Sequence, residues 1–180
     1  MPIANRTLDV FNFTIKFCKN LNDEVLMSLK IRPYDSGSDW NTESRYKSYF
    51  ENTIISKKES FKSFCRNSKI IVCSYPQTTF SEAMASGVPT ILIYDPNYNE
   101  NHKEAQDLVN KLKEAKIIFN DPKKAAEHVN FYWNKLDDWW LNKEVVLAKN
   151  YFYNSALRIN SNWGKEWKGF IKNELNIIKK

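Results

Sequence analysis

The chain is poor in the residues that punctuate or cross-link small proteins. It has four glycines, six prolines and three cysteines in 180 residues. So few glycines and prolines exclude a collagenous or low-complexity chain. They leave ordinary folded segments with 42% apolar residues, enough for a sizeable core. The cysteines, Cys18, Cys65 and Cys73, are odd in number, each lies in an apolar stretch, and no CxxC occurs. They read as small buried hydrophobes in a reducing, cytoplasmic setting, not as metal ligands or a disulfide frame. There is no signal-peptide pattern and no apolar run near the ~18 residues that span a bilayer. There is no GxGxxG, no P-loop and no nucleophile elbow, and no His/Cys/carboxylate set has metal-ligand spacing. No metal and no cofactor is therefore expected.

Charge of one sign is also in short supply. The 27 basic residues exceed the 21 acidic ones by six. The excess is mostly lysine and is spread along the chain, as on a solvated surface. It also suits anionic partners, phosphates or a membrane face. No Arg-rich helix, zinc-finger spacing or RNA-binding aromatic motif is present, so nucleic acid is not an expected partner.

What is present is alternation. Leu8, Phe11, Ile15 and Cys18 recur at helical spacing, giving a helix over about 5–20. Val25–Ile31 reads as a strand, followed by a turn-rich segment, 32–40. Short helices are expected over 42–50 and 58–66, with a short strand at Thr53–Ile55 between them. Ile70–Ser74 reads as a buried strand and 79–86 as a helix stopped by Gly87 and Pro89. Val88–Tyr94 is the next strand, then a loop, a helix over 102–115 and a strand at 117–119. Asp121 caps a helix with Pro122 at its first position. The expected fold is α/β: a Rossmann-like parallel sheet with helices on both faces over 1–121, and a helical extension over 122–180 packed on it. Trp139, Trp140, Trp163 and Trp167 are expected to pin that extension to the sheet. Trp163, Trp167, Phe170 and Ile171 form one stripe of the last helix. The chain opens on a helix in mid-pattern, which reads as the second half of something larger.

Ligands of open parallel sheets bind at the carboxyl ends of the strands. Three loops fall there: 32–40, 74–79 and 94–101. The middle one, Ser74-Tyr75-Pro76-Gln77-Thr78-Thr79, runs from a strand into a helix amino terminus. Free N–H groups, the helix dipole and two hydroxyls there suit a diphosphate. Thr79-x-x-Glu82 equally matches a capping box, and both readings can hold. Glu82, one turn in, can accept the hydroxyls of a ribose or complete that box. Arg32 can hold a phosphate bidentately or form a surface ion pair. Tyr34 and Trp40 can stack on a base or pack. Asp95, Asn97 and Asn101 can meet sugar hydroxyls or form turns. His102 reads as a cap or solvated residue, and His128 as structural.

The string Thr78-Thr79-Phe80-Ser81-Glu82-Ala83-Met84-Ala85-Ser86-Gly87-Val88-Pro89 resembles the donor-site signature S-x-x-E-x-x-A-x-G-x-P of GT-B glycosyltransferases. Thr79 stands at the serine position; Glu82, Ala85, Gly87 and Pro89 are in register. A closer resemblance is to transferases linked to bacterial surface polysaccharide loci. It is carried by Arg32-Pro33-Tyr34 through Asp39-Trp40, by 74–97 and by Ala125-Ala126-Glu127-His128-Val129. Trp139-Trp140 and Asn162-Trp163-x-x-Glu166-Trp167 complete it.

The resemblance implies a donor-binding half. Thr78, Thr79 and Arg32 would bind phosphate and Glu82 the ribose. Tyr34, Ser74 and Asn97 complete the expected substrate-binding set. The substrate would be a nucleotide-sugar, with a glycan acceptor held by an amino-terminal domain. It also implies that the last helix crosses back to that domain. Many retaining members carry a second glutamate eight residues before the first; Ser74 stands there, so neither retention nor inversion is implied. The setting would be cytoplasmic, at the inner face of a membrane. Two other readings stay open: a sugar-nucleotide epimerase on the same scaffold, and a non-catalytic module that binds a partner or a membrane through its basic tail, Lys172, Lys179 and Lys180.

Overall fold

A computed structural model of the chain describes residues 4–33, 41–56, 59–97, 102–157 and 162–178. The first helix, α1 (Ala4–Lys19), ends in a turn that leads to α2 (Asp23–Met27). The expected strand over Val25–Ile31 is therefore helix in its first three residues and a turn at Ser28. Asn22 accepts the Val25 N–H from the N-cap position, and Asp23 and Glu24 occupy the dipole-favoured first turn. Those local signals outweigh the apolar run Val25-Leu26-Met27. Only Lys30–Ile31 remains as strand β1.

Next come α3 (Thr42–Lys47), β2 (Ile54–Ile55) and α4 (Phe61–Arg66). Strand β3 (Ile71–Cys73), α5 (Thr78–Ala85) and β4 (Thr90–Ile93) follow in the expected order. A 3-10 turn (Lys103–Ala105) opens α6 (Gln106–Glu114), which leads to β5 (Ile118–Phe119). The remainder is helical: α7 (Pro122–Tyr132), α8 (Leu136–Trp140), α9 (Lys143–Phe152) with a π-helical turn over Tyr153–Leu157, and α10 (Trp163–Ile178). Asp121 caps α7 as its sequence predicts, accepting the N–H groups of Lys123 and Lys124, with Pro122 at the start.

Every strand pairing among the described residues is parallel, so the fold class read from the alternation holds. The ladders form two sheets, β1-β2 and β3-β4-β5. Strand order β3-β4-β5 with right-handed crossovers puts α5 and α6 on one face. Helix α7 returns to the opposite face, where it packs on β4, β5 and α1. All four residues of β4 are buried, as a strand covered on both sides must be. Gly87 adopts φ +80° just after α5, the left-handed conformation that ends a helix and turns the chain into β4.

Side-chain bonds tie the helical elements to this centre. Asn130 of α7 accepts from the Asn22 N–H and donates to the Asn20 carbonyl, both at 2.9 Å. Trp139 and Trp140 are buried, and their indole N–H groups donate to the carbonyls of Ala115 and Gly87, each at 3.0 Å. These two tryptophans pin the extension as expected. Trp163 and Trp167 do not: they are 67% and 59% exposed. Cys18, Cys65 and Cys73 are all buried free thiols, as their apolar surroundings predict.

His128 is structural, and unusual. It lies among Phe119, Tyr132 and Trp139, with ring centroids 4.7–5.3 Å away. Its buried Nε2 has no hydrogen-bond partner among the described residues. Burial, reinforced by Lys116, pushes its pKa down from 6.5 to about 4. The unfolded chain takes up this proton near pH 6.5, whereas the native state refuses it until about 4. Stability is thus full above pH 6.5 and falls between 6.5 and 4. Discounted for partial solvent access, the loss is about 1–2 kcal/mol. Replacing His128 by Phe keeps the ring and removes the proton site. Urea midpoints at pH 7 and pH 4.5 are expected to drop for the wild type and to drop less for His128→Phe. The carboxylate of Glu59, held to about 2 by hydrogen bonds from Lys30, Ser63 and Asn67, loses its contribution lower, as pH falls from 4.5 towards 2.

Candidate functional site

Because β3, β4 and β5 are parallel, their carboxyl ends share one edge, and those of the parallel pair β1 and β2 share another. Arg32 follows β1, Ser74 follows β3, Asp95 and Asn97 follow β4, and Asn120 follows β5. Asn120 donates to the Tyr94 carbonyl at 2.9 Å and so braces the ends of β4 and β5 together.

The loop Ser74–Gln77 delivers the chain into α5. Gln77 is the N-cap, extended at φ −135°, ψ −170°, and its side chain makes no capping bond. The Thr79/Glu82 capping box does not form. Helix α5 begins one residue before Thr79, so Thr79 lies inside the first turn and Glu82 one turn further, beyond reach of the helix start. The burial of Phe80, 5% exposed and edge-on to Phe152 at 5.5 Å, fixes that phase. Gln77 bonds the Tyr75 carbonyl, and the Phe80 N–H turns back to the Gln77 carbonyl. The N–H groups of Thr78 and Thr79 find no acceptor among the described residues. Both side chains are exposed. The end of α5 thus presents two open N–H donors, two hydroxyls and the positive pole of the helix.

Glu82 is exposed on the same helix and has no hydrogen-bond or ion-pair partner among the described residues. Arg32 is exposed too. Its guanidinium lies over the Phe61 ring, 5.5 Å from the centroid, and no carboxylate pairs with it among the described residues. Both charges act electrostatically on Cys65 of α4. Burial pushes the Cys65 thiol pKa up, the Ser86 hydroxyl beside it pulls it down, Glu82 raises it and Arg32 lowers it. One buried thiol therefore feels both charges.

The other candidates divide. Ser74 is half-buried at the end of β3. Asn97 is exposed in a turn where its N–H bonds the Asp95 carboxylate at 2.9 Å, so the turn-forming role holds for this pair. His102 is solvated, its side chain 78% exposed. Tyr34, Trp40 and Asn101 lie outside the described residues. Phe61 beneath Arg32 and Asn120 between two strand ends went unread in the sequence. The stacking of Arg32 on Phe61 joins residues 29 positions apart and has no local signal. Asn120 had one: a polar residue directly after a strand at the ligand-binding edge.

Among the described residues, then, the start of α5 has no side-chain cap, Arg32 has no carboxylate partner and Glu82 has no hydrogen-bond or ion-pair partner. The model of the LIC12162 family transferases matches residues 1–171, and the chain belongs to that family. No curated protein and no solved structure matches it.

Proposed function

We propose that this transferase binds the nucleotide part of a nucleotide-sugar donor at the amino terminus of α5 and takes part in glycosyl transfer. The observation that carries the reading is the uncapped start of α5, with the Thr78 and Thr79 donors open. A diphosphate there would accept both N–H groups and both hydroxyls, and Arg32 would approach from β1. Glu82, about 6 Å further along the helix at 1.5 Å per residue, would accept the ribose hydroxyls. The same donors that bind the diphosphate would stabilise the charge it gains as the sugar leaves. The glycan acceptor and any catalytic base would come from outside this set of residues. Surface polysaccharide synthesis at the inner face of a membrane is the setting that the sequence resemblance supports.

Calorimetric titration of the chain with UDP, GDP and CMP tests this reading. Binding of at least one diphosphate nucleotide is expected. Heat indistinguishable from dilution for every nucleotide at millimolar concentration would refute it. Thr79→Val, which keeps the shape and removes the hydroxyl, is expected to weaken that binding by about 1.5–3 kcal/mol, the scale of a hydrogen bond to a charged group.

A further inference from the structure

The last helix is amphipathic and uncovered. Every described side chain of α10 from Trp163 to Leu175 is exposed. A Cβ added at Gly164 or Gly169 would meet nothing within 4 Å. At 3.6 residues per turn, Trp163, Trp167, Phe170, Ile171 and Leu175 share one arc. All five are more than half exposed. Lys165, Lys168 and Lys172 share the opposite side, at i, i+3 and i+7, and Lys179 and Lys180 follow in the sequence. No described helix is long and apolar enough to cross a membrane.

We propose that α10 is an interfacial helix that lays its Trp163–Leu175 face onto an anionic lipid surface. Indole rings settle at the boundary between headgroups and acyl chains, and the aliphatic and phenyl groups go slightly deeper. The lysines on the opposite side stay in water within reach of lipid phosphates, their long stems bridging the headgroup layer. Charge decides between lipid and protein as the occupant. The polar side carries Lys165, Lys168 and Lys172 against the single acid Glu166, and the whole chain carries +6, which complements a surface of negative sign. Glu174 falls within the apolar arc and is the one group a lipid surface does not want. Its position turns into the discriminating variant. A protein that covered this face would have to offer Glu174 a cation. A bilayer gains from its neutralisation.

The test is flotation of the full chain with vesicles of phosphatidylcholine, alone or with phosphatidylglycerol. Flotation is expected only with the anionic vesicles and is lost as salt is raised to about 1 M, where screening acts within about 3 Å. Replacing Lys165, Lys168 and Lys172 together by Gln should weaken binding about a hundredfold, at about fivefold per lysine near an anionic surface. Trp163→Ser, Trp167→Ser and Ile171→Ser combined should abolish it. Near-ultraviolet circular dichroism reports that the buried Trp139 and Trp140 stay packed. Glu174→Gln should float at least as well as the wild type. No flotation with anionic vesicles, or flotation indifferent to both triple variants, overturns the proposal. So does self-association through α10 that Glu174→Gln weakens, which would make this face a protein interface.

Discussion

Glu82→Ala is expected to weaken nucleotide binding by about 1.5–3 kcal/mol, which is about tenfold to more than a hundredfold in Kd. The expectation rests on what the folded chain leaves undone. Glu82 is exposed, and no described residue donates to it. A carboxylate with all its acceptor capacity free, one turn from two open N–H donors, has its full strength to give to a ribose. The stability side of the same variant is expected to be small, within about 0.5 kcal/mol, the range of surface substitutions. Had the capping box formed, Ala would cost about 1 kcal/mol of stability and Gln almost nothing. Glu82→Gln should behave like Glu82→Ala in binding, because the amide is no charged acceptor. Calorimetry and thermal melting on both variants check the two halves. Unchanged affinity in Glu82→Ala would remove the residue from the site.

The largest loss of stability is expected at Trp140. The side chain is 4% exposed and joins three elements. Its N–H holds the Gly87 carbonyl at the carboxyl end of α5. Its ring lies under the Lys149 ammonium, 4.0 Å from the centroid, and its own carbonyl accepts from that ammonium at 2.8 Å. Lys149 is itself buried, and burial lowers its pKa. Trp140→Ala opens a cavity, orphans the Gly87 carbonyl and strips the ring from a buried cation. A cost of about 3–5 kcal/mol is expected, the range for large aromatic truncations. Trp140→Phe keeps most of the volume and a ring for Lys149, so it should cost much less, about 1–2 kcal/mol for the lost hydrogen bond and an unmet buried carbonyl. Urea unfolding of both variants separates packing from hydrogen bonding. Equal costs would show that the cavity is not the dominant effect.

The legible parts of this chain were those governed by local chemistry. Ile70–Ser74 announced β3 through β-branched residues, and Gly87 with Pro89 ended α5 where expected. Asp121-Pro122 fixed the start of α7. The same kind of signal was present and underweighted at Asn22-Asp23-Glu24, where a cap and two first-turn acids turned an apolar run into α2. Other features are set by tertiary packing. The phase of α5 is fixed by Phe80 meeting Phe152, 72 residues away, and that phase dissolved the capping box that local spacing suggested. Arg32 stacking on Phe61 is likewise invisible to spacing. The apolar stripe of α10 was legible, but an amphipathic pattern does not say what it packs against. Trp139 and Trp140 turned inward and Trp163 and Trp167 outward, though all four looked alike as anchors. At the site, the sequence located the strand edge and the helix terminus, because both follow from parallel topology. It left open whether that terminus was capped, and only the fold removed the cap.

The most direct test of the central claim is residue-resolved. Backbone amide resonances of the isotope-labelled chain can be followed by NMR as UDP or GDP is added, with the matching nucleoside as control. The account predicts that the Thr78 and Thr79 amides shift strongly with a diphosphate nucleotide and stay near their starting positions with the nucleoside, because the open N–H groups receive phosphate. Shifts confined to other parts of the chain, or amides at the start of α5 that ignore every nucleotide, would contradict it.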